Sequence, residues 1–159
     1  MPGQRARDLI IGIGDRLRGD DGAGPAVVDR LRKYPRPLPR GVELREHWGE
    51  GTALMAAWEG RRRVVVVDAV APAGSPGAIH RFGGEKMPPA GLFHYSAHRF
   101  GLAEAVALAR ELDALPDDLL IYGIEGDRFN QGARLSAPVA SATRAVVQTI
   151  VDEWWRRLG

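Results

Sequence analysis

Three residues of this chain have the types that hold a divalent cation: Asp21, Asp68 and His98. Two carboxylates and an imidazole suit a transition metal such as nickel, zinc or manganese. A three-ligand set leaves coordination positions open, as metal-assisted hydrolysis requires. No short metal motif encloses the trio, so each member has an ordinary alternative. Asp21 would serve as a helix N-cap, Asp68 would bond nearby backbone amides, and His98 would be a surface residue at a helix start. His94 lies four residues before His98, a spacing that resembles a zinc pair on one helix. No Glu follows His94, however, and the helix is expected to begin near Ser96, so His98 is the histidine chosen. His47 and His80 fall in or beside strands and receive no role.

The elements that must position these residues are legible in the pattern. Residues 9–13, LIIGI, read as a buried strand. A polar, glycine-rich loop carrying Asp15, Asp20 and Asp21 follows, and a helix resumes with Pro25 in its first turn and Val27, Val28, Leu31 and Tyr34 at helical spacing. Adjacent acids therefore stand where a strand hands over to a helix, the place where open α/β sheets bind ligands. Only one of Asp20 and Asp21 can cap that helix. Residues 42–47 alternate apolar and polar as a short edge strand, and residues 53–58 form a small apolar helix. The run Val64-Val65-Val66-Val67 is a central parallel strand ending at Asp68, with Arg61, Arg62 and Arg63 solvating its entrance. Residues 78–82 are a strand that follows with no helix between, so it is free to run antiparallel. The next helix carries Leu102, Ala105, Val106, Ala109 and Leu112 on one stripe and ends at Pro116. Residues 119–124 are the last strand. Ser136 caps the final helix, with Pro138 in its first turn and Val139, Ala142, Val146, Ile150 and Trp154 on its buried face.

Strands alternating with helices predict a three-layer α/β/α sandwich with a five-stranded, mostly parallel sheet, one strand antiparallel, in a single domain over residues 1–159. Right-handed crossovers set the first and third strands side by side, so Asp20, Asp21 and Asp68 border one crevice.

Composition narrows the function. The 159 residues are 45% apolar, an ordinary globular balance, and contain no cysteine, which removes disulfides, thiolate metal sites and a cysteine nucleophile. No signal peptide and no run of ~20 apolar residues is present, so the expected location is the cytoplasm, without membrane insertion. The arginines are scattered rather than gathered on one element with aromatics between them, against nucleic-acid binding. No G-x-S-x-G elbow exists, and Gly12-Ile13-Gly14 lacks the third glycine of the dinucleotide fingerprint. An acidic pair after the first strand and an Asp after the third also describe a phosphoacceptor receiver domain. That fold relies on a Lys after its last strand, and the two lysines here, Lys33 and Lys86, stand elsewhere.

With these residues in hand, the chain resembles the hydrogenase maturation proteases, which process the large subunit of [NiFe] hydrogenases. The match rests on GIGDRLRGDDGAG at 12–24, Gly51-Thr52, the strand ending at Asp68 with Ala69, SAHRFGL at 96–102 and YGIEG at 122–126. The resemblance places the family's metal-contacting positions on Asp21, where many members have Glu, and on Asp68 and His98. Asp15, Asp20, Gly51 and Thr52 support the site. The chain departs from the pattern at Asp15, where Asn is usual, which adds a negative charge at the mouth of the site. It departs again after Gly51-Thr52, where Ala53-Leu54 replaces the family's x-Gly. The resemblance implies a metal-dependent, aspartic-type endopeptidase that senses nickel already carried by the large-subunit precursor and removes its C-terminal extension, with zinc or cadmium able to stand in for nickel in crystals. Asp21 and Asp68 then either orient a water on the metal or frame nickel as a recognition mark. A nickel-binding or nickel-delivery protein without catalysis shares the trio and is the alternative.

Overall fold

In the computed structural model the described residues are 6–83, 86, 89, 92–93 and 99–157. Five strands form one sheet: β1 (Asp8–Ile13), β2 (Val42–His47), β3 (Arg63–Val70), β4 (Ile79–Gly83) and β5 (Asp118–Glu125). Their spatial order is β2-β1-β3-β5-β4, with β4 antiparallel to β5 and every other pair parallel. The inner strands β1 and β3 are buried along almost their whole length, as near-continuous apolar runs demand.

Alternate residues of each strand face opposite layers. Ile10, Val65, Val67 and Ile124 pack under α1 (Ala23–Arg32) and α4 (Ala137–Arg157). Leu9, Ile11, Val64, Val66 and Ile121 pack under α2 (Gly51–Trp58) and α3 (Leu102–Glu111). This is the three-layer sandwich that the alternation predicts. The α1 layer sits unusually close. A Cβ on Gly24 would lie 2.3 Å from the Ile13 carbonyl oxygen and 2.6 Å from that of Val67. Both glycines of the contact, Gly12 and Gly24, are therefore needed for helix and strand backbones to meet.

Several local expectations change. β3 does not stop at Asp68 but pairs with β5 through Val70, opposite Glu125, so Asp68 lies inside the strand on the α2/α3 side. Helix α2 begins two residues early because Glu50 caps it, accepting from the Thr52 and Ala53 amides at 2.9 and 2.8 Å. Helix α3 ends at Glu111, five residues before Pro116. Asp113 takes a left-handed conformation (φ 54°) and the Ala114 amide donates to the Ala109 carbonyl at 2.7 Å, a Schellman closure. Leu112 is thereby turned out of the stripe and is exposed. Arg61 does not solvate the strand entrance. It is buried, and its guanidinium donates to Ala57 and Ala6 carbonyls and to Glu43. Neither Asp20 nor Asp21 caps α1, whose N-cap is Gly22 with no side-chain bond.

Candidate active site

The carboxyl ends of the neighbouring strands β1 and β3 open onto one edge of the sheet. Gly14, at φ 146°, turns the chain out of β1, and its amide donates to the His47 carbonyl at the end of β2 (3.1 Å). A Cβ here would come to 1.8 Å of the Asp21 carbonyl oxygen, so this turn admits only glycine. Asp15 then closes the loop twice. Its carboxylate accepts from the Leu17 amide at 2.8 Å, and its own amide donates to Asp21 Oδ2 at 2.9 Å. Arg16 is held away by a two-pronged bond to Asp29 (2.6 and 2.8 Å) and by contact with Glu46.

A 3-10 turn, Gly19–Gly22, carries the two adjacent aspartates, and they part company. Asp20 is fully buried and acts as a staple. Its carboxylate accepts from the Asp127, Arg128 and Ser136 amides at 2.8, 3.0 and 2.7 Å and from the Ser136 hydroxyl at 2.9 Å. The backbone follows: the Gly19 and Asp20 amides donate to Ala133 and Arg128, and Gly132 donates to Leu17. The turn is thus fastened to the loop between β5 and α4, directly before α4, where the helix dipole also favours the anion. Ser136 does stand immediately before α4, but its hydroxyl is spent on Asp20.

Asp21 is freed for the crevice. Burial pushes its pKa up, opposed by the Asp15 amide and the nearby Arg18 charge, while the Asp15 carboxylate adds to the rise. Asp68 is buried, and its pKa stands well above the ordinary carboxylate value. Burial is the main cause, the charge of Asp21 adds to it, and the Ala69 amide at 2.8 Å partly offsets both. The charge of Asp21 therefore reaches Asp68, and both acids hold a proton more readily than an isolated carboxylate does. Among the described residues no hydrogen bond engages Asp21 Oδ1 or Asp68 Oδ2. Such a pair accepts a cation in place of its proton, or exchanges protons with a substrate.

Gly51 and Thr52 lie at the same edge. The Gly51 amide donates to the Phe100 carbonyl at 2.8 Å, and a Cβ would strike the Phe100 ring, so glycine is required where α2 abuts the chain entering α3. Thr52 is exposed and contributes its backbone amide to the Glu50 cap. His98 and His94 lie outside the described residues; Phe100, two residues after His98, is at the site edge. Among the described residues no cluster of three metal-ligating side chains exists. His80 is brought into register with Asp68 across Gly123, but Val70 and Phe93 pack over that glycine between them. The sequence reading missed the Asp20–Ser136 staple and the Glu50 cap. The latter has a local signal, a carboxylate two and three residues before free helix amides, and the former has none.

A family model described as hydrogenase maturation protease (HycI) matches residues 26–153, a span that includes Asp68 and His98 and begins after Asp21. The hydrogenase 2 maturation protease of Escherichia coli is 28% identical over 147 residues, covering 91% of this chain and 88% of that protein. Among solved structures, the hydrogenase maturating endopeptidase HybD from E. coli superposes with a TM-score of 0.80 at 22% identity, over 95% of this chain and 93% of that one. The [NiFe] hydrogenase maturation protease HybD from Thermococcus kodakarensis gives 0.67 at 25% identity, over 92% and 98%. Because the family model spans well over half of the chain, the chain belongs to the hydrogenase maturation proteases, and it is an endopeptidase of that family.

Proposed function

We propose that this endopeptidase removes the C-terminal extension of a [NiFe] hydrogenase large-subunit precursor after nickel insertion, reading the nickel through Asp21, Asp68 and His98. The observation that carries this is the Asp21–Asp68 pair: two carboxylates at one open sheet edge, one of them buried, with burial and the charge of Asp21 both raising its pKa. A divalent cation presented by the precursor supplies a countercharge to both carboxylates and favours their ionised forms. His98 adds the nitrogen ligand that favours a borderline metal such as nickel. The metal belongs to the substrate on this reading, and zinc or cadmium occupies the same donors in a soaked crystal. The protein works in the cytoplasm; no described helix is long and apolar enough to cross a membrane. Asp21, the more accessible acid, accepts a proton from the attacking water and passes it to the leaving amine as the carbon–nitrogen bond breaks, the water's hydroxyl staying on the carbonyl carbon.

The test is precursor shortening on a gel, with nickel-loaded and nickel-free precursor side by side. Wild type is expected to shorten only the loaded form. His98→Ala is expected to abolish shortening with stability changed by no more than about 0.5 kcal/mol. Equal cutting of nickel-free precursor would sink the nickel-reading role. Tight nickel binding by the free protein with no cutting would favour the delivery reading instead.

A further inference from the structure

Two large apolar side chains stand exposed on the loops that follow β1 and β2. Trp48 is 73% exposed and Leu17 is 66% exposed. Both ride on loops whose backbones are pinned. Leu17 donates its amide to Asp15 Oδ1 (2.8 Å), and its carbonyl accepts from Gly132 at 2.6 Å. Trp48 lies between His47, whose carbonyl accepts from Gly14, and Gly49, whose amide donates to His47 Nδ1 at 2.9 Å. Gly49 in turn packs on Ile13. The two loops are also joined through Arg16 and Glu46. Gly14 itself sits on the Asp21 backbone, so both loops are joined to the turn that carries the acid. An exposed aromatic on a rigid loop loses little freedom when it is covered, which is the property of a binding anchor.

The occupant follows from the layers. Helices cover both faces of the sheet, so a polypeptide reaches Asp21 and Asp68 across the carboxyl edge, where the loops at 14–18 and 47–50 lie. Arg16, in the first of these loops, is already neutralised by Asp29 and Glu46, and the exposed Arg18 stands beside Leu17.

We propose that Trp48 and Leu17 form a two-point apolar anchor that seats an apolar segment of the precursor beside the bond to be cut, setting which precursor is accepted; this rests on the precursor-processing reading above. Processing rates are measured against nickel-loaded precursor concentration for wild type, Trp48→Ala, Leu17→Ala and, as control, Leu112→Ala, an exposed leucine beyond the end of α3. Trp48→Ala is expected to raise KM by about tenfold or more and Leu17→Ala by about threefold, with kcat within about twofold of wild type. Thermal unfolding of both should match wild type, and Leu112→Ala should change neither constant. A wild type that processes while both anchor variants keep its KM, or lose kcat alone, overturns the anchor and leaves the protease reading standing. A wild type that does not shorten the precursor overturns both.

Discussion

Asp68 is a residue the folded state would rather keep neutral, and that makes its contribution to stability negative over a definite pH range. Its folded pKa lies above the unfolded value near 3.9, because burial and the Asp21 charge both oppose ionisation. The folded protein thus binds more protons than the unfolded chain once pH climbs past about 4. Stability falls through that window until the folded pKa is passed. Asp68→Asn removes the cost while keeping the shape. Its thermal midpoint should exceed that of wild type at pH 7. The difference should shrink towards zero below about pH 4, and precursor processing should be lost at every pH. Scanning calorimetry across pH checks it, and a variant less stable than wild type at neutral pH would contradict the buried, uncompensated state of this acid. The same residue was only half legible in sequence. A run of valines closing on an aspartate signals a strand reaching a functional edge, but the two further rungs to Val70 depend on β5, more than fifty residues away.

At the level of elements, hydrophobic period was enough to place all five strands and to assign the final helix its buried face, because those signals are local. It misjudged the ends. The stop of α3 is written in Asp113 and in a bond back to Ala109, and a periodic stripe continues through both without notice. The fit between α1 and the sheet is similarly hidden, since Gly24 looks like loop glycine until a strand carbonyl is found beside it. Gly24→Ala must push helix and strand backbones apart. It should destabilise by about 3 kcal/mol, lowering the midpoint by roughly 6–12 °C for a chain of this length. Circular dichroism melting gives the answer, and an unchanged midpoint would mean that α1 has slack against β1 and β3.

For the molecule as a whole, the adjacent acids of the 3-10 turn should behave as opposites. Asp20→Ala strands the buried Ser136 amide and hydroxyl, each costing about 1–3 kcal/mol, and releases the part-buried Asp127 and Arg128 amides, so a loss of roughly 3 kcal/mol or more is expected. Asp21→Ala gives up one bond at a partly open site and should cost no more than about 1 kcal/mol, while ending processing. Paired denaturant titrations and gel assays separate the two, and equal destabilisation would erase the distinction. Sequence could name both acids but not sort them, because what sorts them is a partner 116 positions along the chain. That separation also sets an order in time. On a ribosome adding about 5–20 residues per second, Ser136 follows Asp20 by roughly 6–23 s. Until it emerges, the turn bearing Asp21 has no floor to rest on, so a half-made chain carries the acids of the site without the means to aim them.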